Sequence, residues 1–394
     1  MRILFLSAWF PYPPNNGSKL RIYNLLRGLA EHHEVTLLSF ADQSDVDPNA
    51  PALRFLVRDL HVIPWKPFTP NSWRARFGFL SLTPRAVVDT YSPEMASQIE
   101  RTLSDSDYDV IIASQMGTAA YGHLFQNVPA LFEEVEITVL FEQFSRAPSP
   151  WRRFRYGLTW AKHRRYLARL LRHFQACTVV SEQERKLLSR AVPDHPPIEI
   201  IPNGVNLNDY RNIHEEPEPN TLIFTGAFTY SANHDAMTWF VGQVYPLIQA
   251  QVPDVHLYIT GNHADKPLPP ADGVTRTGYV DDVRPLVARS WISLAPLRVG
   301  GGTRLKILEA MALRTPVVAT SKGAEGLDVQ DGEHLLIADT PQAFADAVIR
   351  LLKDPALRQR LTDNAYQLVR EKYDWAVIMP RFLHLIEQVA REKG

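Results

Sequence analysis

The stretch that most narrows the fold of this 394-residue chain is 291–320, WISLAPLRVGGGTRLKILEAMALRTPVVAT. Residues 291–297 read as a buried strand, Gly300, Gly301 and Gly302 as a loop, 303–314 as a helix, and 316–320 as a second buried strand. Two strands joined through a helix run parallel with a right-handed crossover, and a parallel sheet carries helices on its faces. The helix N-terminus then points beyond the carboxyl edge of the sheet. There the glycines, with Thr303, let backbone N–H groups approach a ligand closely. Arg304 and Lys306 place two cations in the expected first turn, where the macrodipole favours acids. A bound anion accounts for them, and a nucleotide diphosphate is the anion we expect; the alternative is a glycine turn with a solvated basic helix start. Glu309, further along, is placed to meet a neutral polar part of the same ligand.

The rest of the chain repeats the pattern. Residues 3–8 read as a strand, 15–18 as a loop ending in a helix cap at Ser18, and Ile22, Leu25, Leu26 and Leu29 as one helix face before a strand at 35–40. Ligands of open α/β sheets bind beyond the carboxyl ends of strands, so Gly17 in this first loop is a candidate cleft residue. The spacing is not G-x-G-x-x-G, which disfavours a nicotinamide oxidoreductase. Further strands are expected at 108–114, 129–135, 176–181 and 198–201, with a proline-bearing loop at 64–93. A second series opens with a strand at 221–225, the loop starting at Gly226, and a long helix at 233–251. Strands at 255–260, 274–280 and 335–338 follow, and a last helix at 375–392 is kinked at Pro380. We expect two doubly wound Rossmann-like α/β domains facing a cleft, over 1–202 and 203–374, with 375–394 as a terminal helix.

The single cysteine, Cys177, excludes an internal disulfide framework and suits a reducing, cytoplasmic setting. Net charge is −1, which argues against general nucleic-acid binding. Residues 151–174 are a local exception, with eight Lys/Arg and no acid. Tyr156, Trp160, Leu167, Leu170, Leu171 and Phe174 recur there at helical spacing. This basic amphipathic helix fits peripheral contact with the inner face of an anionic membrane, and equally a helix buried on one side and solvated on the other. The histidines show no metal-ligand spacing.

Residues 296–327, PLRVGGGTRLKILEAMALRTPVVATSKGAEGL, resemble the donor-site signature of family-4 glycosyltransferases of the GT-B fold. IIPNGVNLNDY at 200–210 is similar to the segment that opens their second domain. NHDAMTWFVGQVYPLI followed by VHLYITG, and the N-terminal MRILFLSAWFPYPPNNGSKLRIYNLLRGLA, resemble a branch that makes bacterial surface polysaccharides. The resemblance implies retaining transfer of a sugar from a nucleotide-sugar donor to a hydroxyl of a glycan or lipid-linked acceptor. No cofactor and no essential metal are implied. The donor is expected in the second domain, the acceptor in the first, and the terminal helix crosses back to the first.

Two departures from the family pattern shape the expected roles. The family carries two glutamates with seven residues between them; Glu309 takes the second position, and Gly301 stands at the first. The basic residues common after the second domain's first strand are missing from the Gly226–Tyr230 loop, so Arg304 and Lys306 are expected to neutralise the diphosphate. Glu309 is expected to accept from ribose hydroxyls, with Tyr279 and Val280 bordering the base and Glu325 lining the sugar pocket. Arg298 is a candidate for the phosphates or for capping its strand. In the first domain Glu133, Glu134 and Glu136 follow a strand, near where relatives carry a histidine; Glu134 is the candidate for positioning the acceptor hydroxyl, and a solvated acidic turn is the alternative. A nucleotide-sugar epimerase and a non-catalytic nucleotide-sugar scaffold are the competing functions.

Overall fold

The computed structural model describes residues 1–41, 46–125, 128–302 and 304–392. The chain forms two compact units: Met1–Pro202 together with Met379–Gly394, and Asn203–Ile378.

The first unit holds seven strands: β1 (Arg2–Ser7), β2 (Glu34–Ala41), β3 (Asp59–Pro64), β4 (Val110–Ser114), β5 (Ala130–Glu133), β6 (Ala176–Val179) and β7 (Ile198–Ile200). They pair in parallel in the order β3-β2-β1-β4-β5-β6-β7. Strands β1, β4, β5 and β6 are buried on both faces, which is why they appear in the sequence as unbroken apolar runs. Strand β3 had no such signal. It lies at the edge, and of DLHVIP only Ile63 is buried. The expected loop at 64–93 contains two short helices, Trp73–Phe77 and Arg85–Thr90. Buried Asp89 ties this segment down, accepting from Thr69 N at 2.8 Å, from Ser72 Oγ and from Lys66 Nζ at 3.4 Å.

The basic segment forms a helix over Pro150–Leu170, capped by Ser149. Its expected apolar face turns inward: Trp160, Leu167 and Leu170, with Leu171 and Phe174 after it, pack in the core of the unit. Cys177 is buried in the same core, which pushes its thiol up to about 12. It is a packing residue, not a nucleophile.

The second unit holds β8 (Glu218–Thr225), β9 (His256–Thr260), β10 (Val274–Gly278), β11 (Ser290–Ala295), β12 (Val317–Ala319) and β13 (Leu336–Ile337). All pair in parallel, in the order β10-β9-β8-β11-β12-β13. The expected long helix after β8 is interrupted. An α-helix at Ser231–Trp239 widens into a π-turn at Phe240–Val244 and resumes at Tyr245–Gln249, with Pro246 at the restart lacking an N–H to donate. The helix after the glycine loop is shorter than expected, Leu305–Ala312, because Arg304 adopts φ −85° and ψ 69° at its cap.

The final helix, Trp375–Arg391, contains Pro380, and the division between the units falls at Met379 beside it. Phe382, Ile386 and Val389 of its second half are buried, and Arg381 donates to Ile200 O at 2.9 Å. Gly28, on the helix Gly17–Ala30, has no side chain to hold Met379 away.

Candidate active site

In each sheet the chain reverses its order of strand addition at one place, and the loops leaving the two strands there diverge into a crevice. In the second unit this place lies between β8 and β11. The loop after β8 starts at Gly226 and the loop after β11 carries the three glycines.

Lys306 stands where these loops meet. Its amine lies 3.9 Å from the centroid of the Phe224 ring and donates to Asn233 Oδ1 at 3.2 Å. No carboxylate is in salt-bridge reach of it among the described residues. Burial, and then the charge of Arg304, lower its pKa to about 7. The site thus holds an amine whose cationic form is short of a counter-charge, a situation that an added anion relieves. Gly226 makes room: with φ +153°, a Cβ there would meet Asn233 Nδ2 at 2.7 Å and Lys306 Nζ at 3.0 Å. Asn233 in turn donates to Ala227 O at 2.9 Å, so it fixes both the loop and the amine.

Arg304 occupies a different position from the one expected. It precedes the helix, it is buried, and it organises the glycine loop. Nη1 donates to Gly301 O at 2.7 Å, and Nη2 to Gly300 O at 2.9 Å and to Lys322 O at 3.4 Å. Gly300 (φ +97°) is approached so closely by the Tyr230 hydroxyl that no Cβ would fit, which joins the two loops. Gly302 (φ +83°) faces open space, and Thr303 lies outside the described residues. Glu309, one turn beyond Lys306, is half-buried; burial raises its pKa, while Lys306 and Arg284 oppose the shift. Glu325 pairs with buried Lys322, whose carbonyl Arg304 engages, so the 320–327 loop belongs to the same cluster.

Three expected residues stand outside the Lys306 cluster. Arg298 is exposed, but its guanidinium is already paired with Asp235 at 2.6 Å and lies 5.7 Å from the Trp239 ring. Tyr279 follows β10, two strands from β8, and is 71% exposed; Val280 beside it is half-buried.

In the first unit the crevice lies between β1 and β4. Trp9 Nε1 donates to Gln115 Oε1 at 2.8 Å across it, and Gln115 Nε2 donates to Glu134 Oε2 at 2.7 Å. Gln115 and Glu134 end β4 and β5 in left-handed backbone, φ +68° and +59°. Non-glycine residues held so are a strain that collects at functional sites. Glu134 is half-buried, and its pKa is raised to about 7 by burial, against Arg21 and helped by Glu133. Its neighbours divide the acidic run: Glu136 is exposed, while Glu133 is wholly buried, paired with Arg21 Nε at 2.6 Å and accepting from Ser114 Oγ at 2.7 Å. A solvated acidic turn does not describe this arrangement. Gly17 starts the helix after β1, with Asn16 and not Ser18 as its cap, in the other unit from the remaining donor candidates. Among the described residues no three His, Cys, Asp or Glu gather to hold a metal ion.

Sequence reasoning missed Asn233, Phe224, Tyr230 and Gln115. Phe224 was read as strand core, and the other three carry no spacing that links them to residues 19 to 73 positions away.

Residues 16–204 match the family described as Glycosyl transferase 4-like domain, and 219–354 match Glycosyl transferases group 1. The chain belongs to the family-4 glycosyltransferases of the GT-B fold, and is a glycosyltransferase. It is 27% identical over 323 residues to a phosphatidyl-myo-inositol mannosyltransferase of Mycobacterium leprae, covering 76% of this chain and 79% of that one. Among solved structures it is similar to sucrose-phosphate synthase from Thermosynechococcus elongatus (TM-score 0.70, 17% identity, 98% of each chain). It is similar also to Anabaena HepE in complex with UDP and glucose (TM-score 0.67, 15% identity, 98% of this chain and all of that one).

Proposed function

We propose that the protein moves a sugar from a nucleotide-sugar donor to an acceptor hydroxyl with retention of configuration, in polysaccharide biosynthesis. The observation that carries this reading is Lys306, a half-buried amine with no carboxylate in salt-bridge reach among the described residues, at the sheet's switch point and bordered by Gly226 and the glycine loop. The donor diphosphate supplies the missing counter-charge. As the leaving group departs, its growing negative charge meets Lys306 and the loop N–H groups, a kind of preorganised contact worth roughly 3–4 kcal/mol per donor. Arg304 contributes by holding the loop in shape and by its own field. Glu309 accepts from the ribose hydroxyls, Glu325 borders the sugar, and Tyr279 with Val280 borders the base. Glu134 positions the acceptor hydroxyl.

The acceptor is a lipid-linked saccharide or glycan. The M. leprae relative is named for transfer to a phosphatidyl-inositol, a membrane-borne molecule, which supports this choice. The helix Pro150–Leu170 then holds the enzyme peripherally at the anionic cytoplasmic face; no helix among the described residues is long and apolar enough to cross a membrane.

The test is calorimetric titration with UDP, GDP, ADP and dTDP sugars. Micromolar binding of one of them, about −8 kcal/mol, is expected. Binding of none would overturn the reading. With the matched donor, NMR of the product reports retention, and a change in the sugar without acceptor would indicate an epimerase instead.

A further inference from the structure

The core-facing side of the helix Pro150–Leu170 leaves its opposite side to be explained. In the first turns Trp151 is 72% exposed, and Phe154 and Leu158 are exposed as well. These positions recur at three and four residues, so they share one stripe that continues to Lys162 and Arg169. Lys162 Nζ donates to Gly78 O at 2.5 Å and Arg169 Nη2 to Leu82 O at 3.2 Å. The turn after the helix Trp73–Phe77 therefore lies along that same stripe. This second segment also shows large apolar groups to solvent: Trp73 at 71%, Leu80 at 88%, and Phe77 and Phe79. Two segments far apart in sequence thus carry large exposed apolar side chains beside one stripe of this helix, the kind of grouping that marks an interaction site.

The two segments themselves are basic. Residues 60–88 carry Lys66, Arg74, Arg76 and Arg85 and no acid, and 149–174 carry no acid either. The acid that closes the first segment, Asp89, is buried and bonded to Lys66, Thr69 and Ser72. Arg85 lies 4.4 Å from the Phe79 ring centroid, a basic group beside an exposed aromatic. Tryptophan, phenylalanine and leucine set among arginines are the composition of a surface that lies in the headgroup layer of a bilayer. A second copy of the chain would set like charges against each other.

We propose that residues 73–82 and the first turns of the helix Pro150–Leu170 form one membrane-binding face, whose aromatic and leucine side chains enter the headgroup region of an anionic bilayer. The inference rests on the membrane reading given above for the helix, and adds the second segment and insertion to it.

The full chain is tested with Leu80→Cys carrying an environment-sensitive fluorophore; Cys177 is buried, so the label goes to position 80. Vesicles of phosphatidylcholine alone and with phosphatidylglycerol are compared by sedimentation and by emission. With the anionic vesicles we expect co-sedimentation, a blue shift and a gain in intensity, and with phosphatidylcholine alone none of these. Phe77→Ser/Phe79→Ser should reduce binding at least tenfold with an unchanged melting temperature and circular dichroism spectrum. Arg152→Gln/Arg153→Gln should weaken the salt dependence. Co-sedimentation with an unshifted label and an unaffected serine variant would overturn the two-segment face while leaving the helix reading intact. No co-sedimentation even at low salt would remove both. A blue shift that grows with protein concentration without vesicles would assign the face to a second copy and overturn the proposal.

Discussion

Gln115 and Glu134 share a 2.7 Å hydrogen bond between side chains whose backbones both stand in the left-handed region. The pair holds a carboxyl that burial keeps protonated up to about pH 7 at the carboxyl edge of the first sheet. If Glu134 positions the acceptor hydroxyl as its carboxylate, wild-type turnover rises through about pH 7, and Glu134→Gln lowers kcat at least tenfold at pH 8 with the donor KM unchanged. The stability effect has the opposite sign. The folded protein binds this proton more tightly than the unfolded chain, whose carboxyl titrates near 4.5, so wild type loses stability relative to Glu134→Gln as pH rises from there to about 7. Thermal melts at pH 5 and pH 8 would check it; a larger wild-type disadvantage at pH 5 would refute it.

Lys306 should reveal its lowered pKa when the donor binds. At pH 8 much of the free amine is neutral, and an incoming diphosphate favours the charged form. Calorimetry in buffers of differing ionisation enthalpy is expected to show up to about one proton taken up at pH 8, and little at pH 6 where the amine is already charged. Lys306→Arg should bind without uptake at either pH. In the free protein the lowered pKa costs stability most fully below about pH 7, and the cost disappears as pH rises towards 10.5. Lys306→Met should therefore compare best with wild type at neutral and acid pH, although it removes the cation needed for the donor.

Gly226→Ala tests the geometry of the same corner. The added methyl would press on Asn233 Nδ2 and Lys306 Nζ, displacing the amine from Phe224. Nucleotide affinity is expected to fall at least tenfold, about 1.4 kcal/mol. An unchanged dissociation constant would separate Lys306 from donor binding.

The buried pair beneath Glu134 is a structural matter. Arg21 and Glu133 are both fully buried, and removal of either leaves the other's charge inside the protein. Arg21→Met and Glu133→Leu should each destabilise the first unit by about 3–5 kcal/mol in urea unfolding. The double variant should lose clearly less than the sum, because it leaves neither charge unmatched.

The sequence displays the parallel strands and the glycine loop because strands buried on both faces are continuous apolar runs and the loop needs glycine. Gly300 and Gly226 were legible for the same reason, each filling a space that no side chain could. What was not legible depends on distance along the chain. The contact of Lys306 with Asn233 spans 73 residues, and nothing in either local pattern anticipates it. Arg304 was misread because a base before a helix looks the same whether it faces a ligand or caps loop carbonyls. Strand β3 was missed because an edge strand with Asp59 and His61 in water lacks the apolar run. For the helix Pro150–Leu170 the sequence left membrane contact and burial of the Trp160–Leu167 face equally open; that face packs inside, while Trp151 and Phe154, which the helical spacing did not single out, stand in solvent.

The assignment of Met379–Gly394 to the first unit has a consequence for the order in which the protein is made. The second unit is one uninterrupted stretch, Asn203–Ile378, and can close during synthesis as soon as it has left the ribosome. The first unit, although translated earlier, must wait for Phe382, Ile386 and Val389 before the surface they cover is sealed. Until then that surface stays open on the nascent chain, and a stop codon after Ile378 would leave it so permanently.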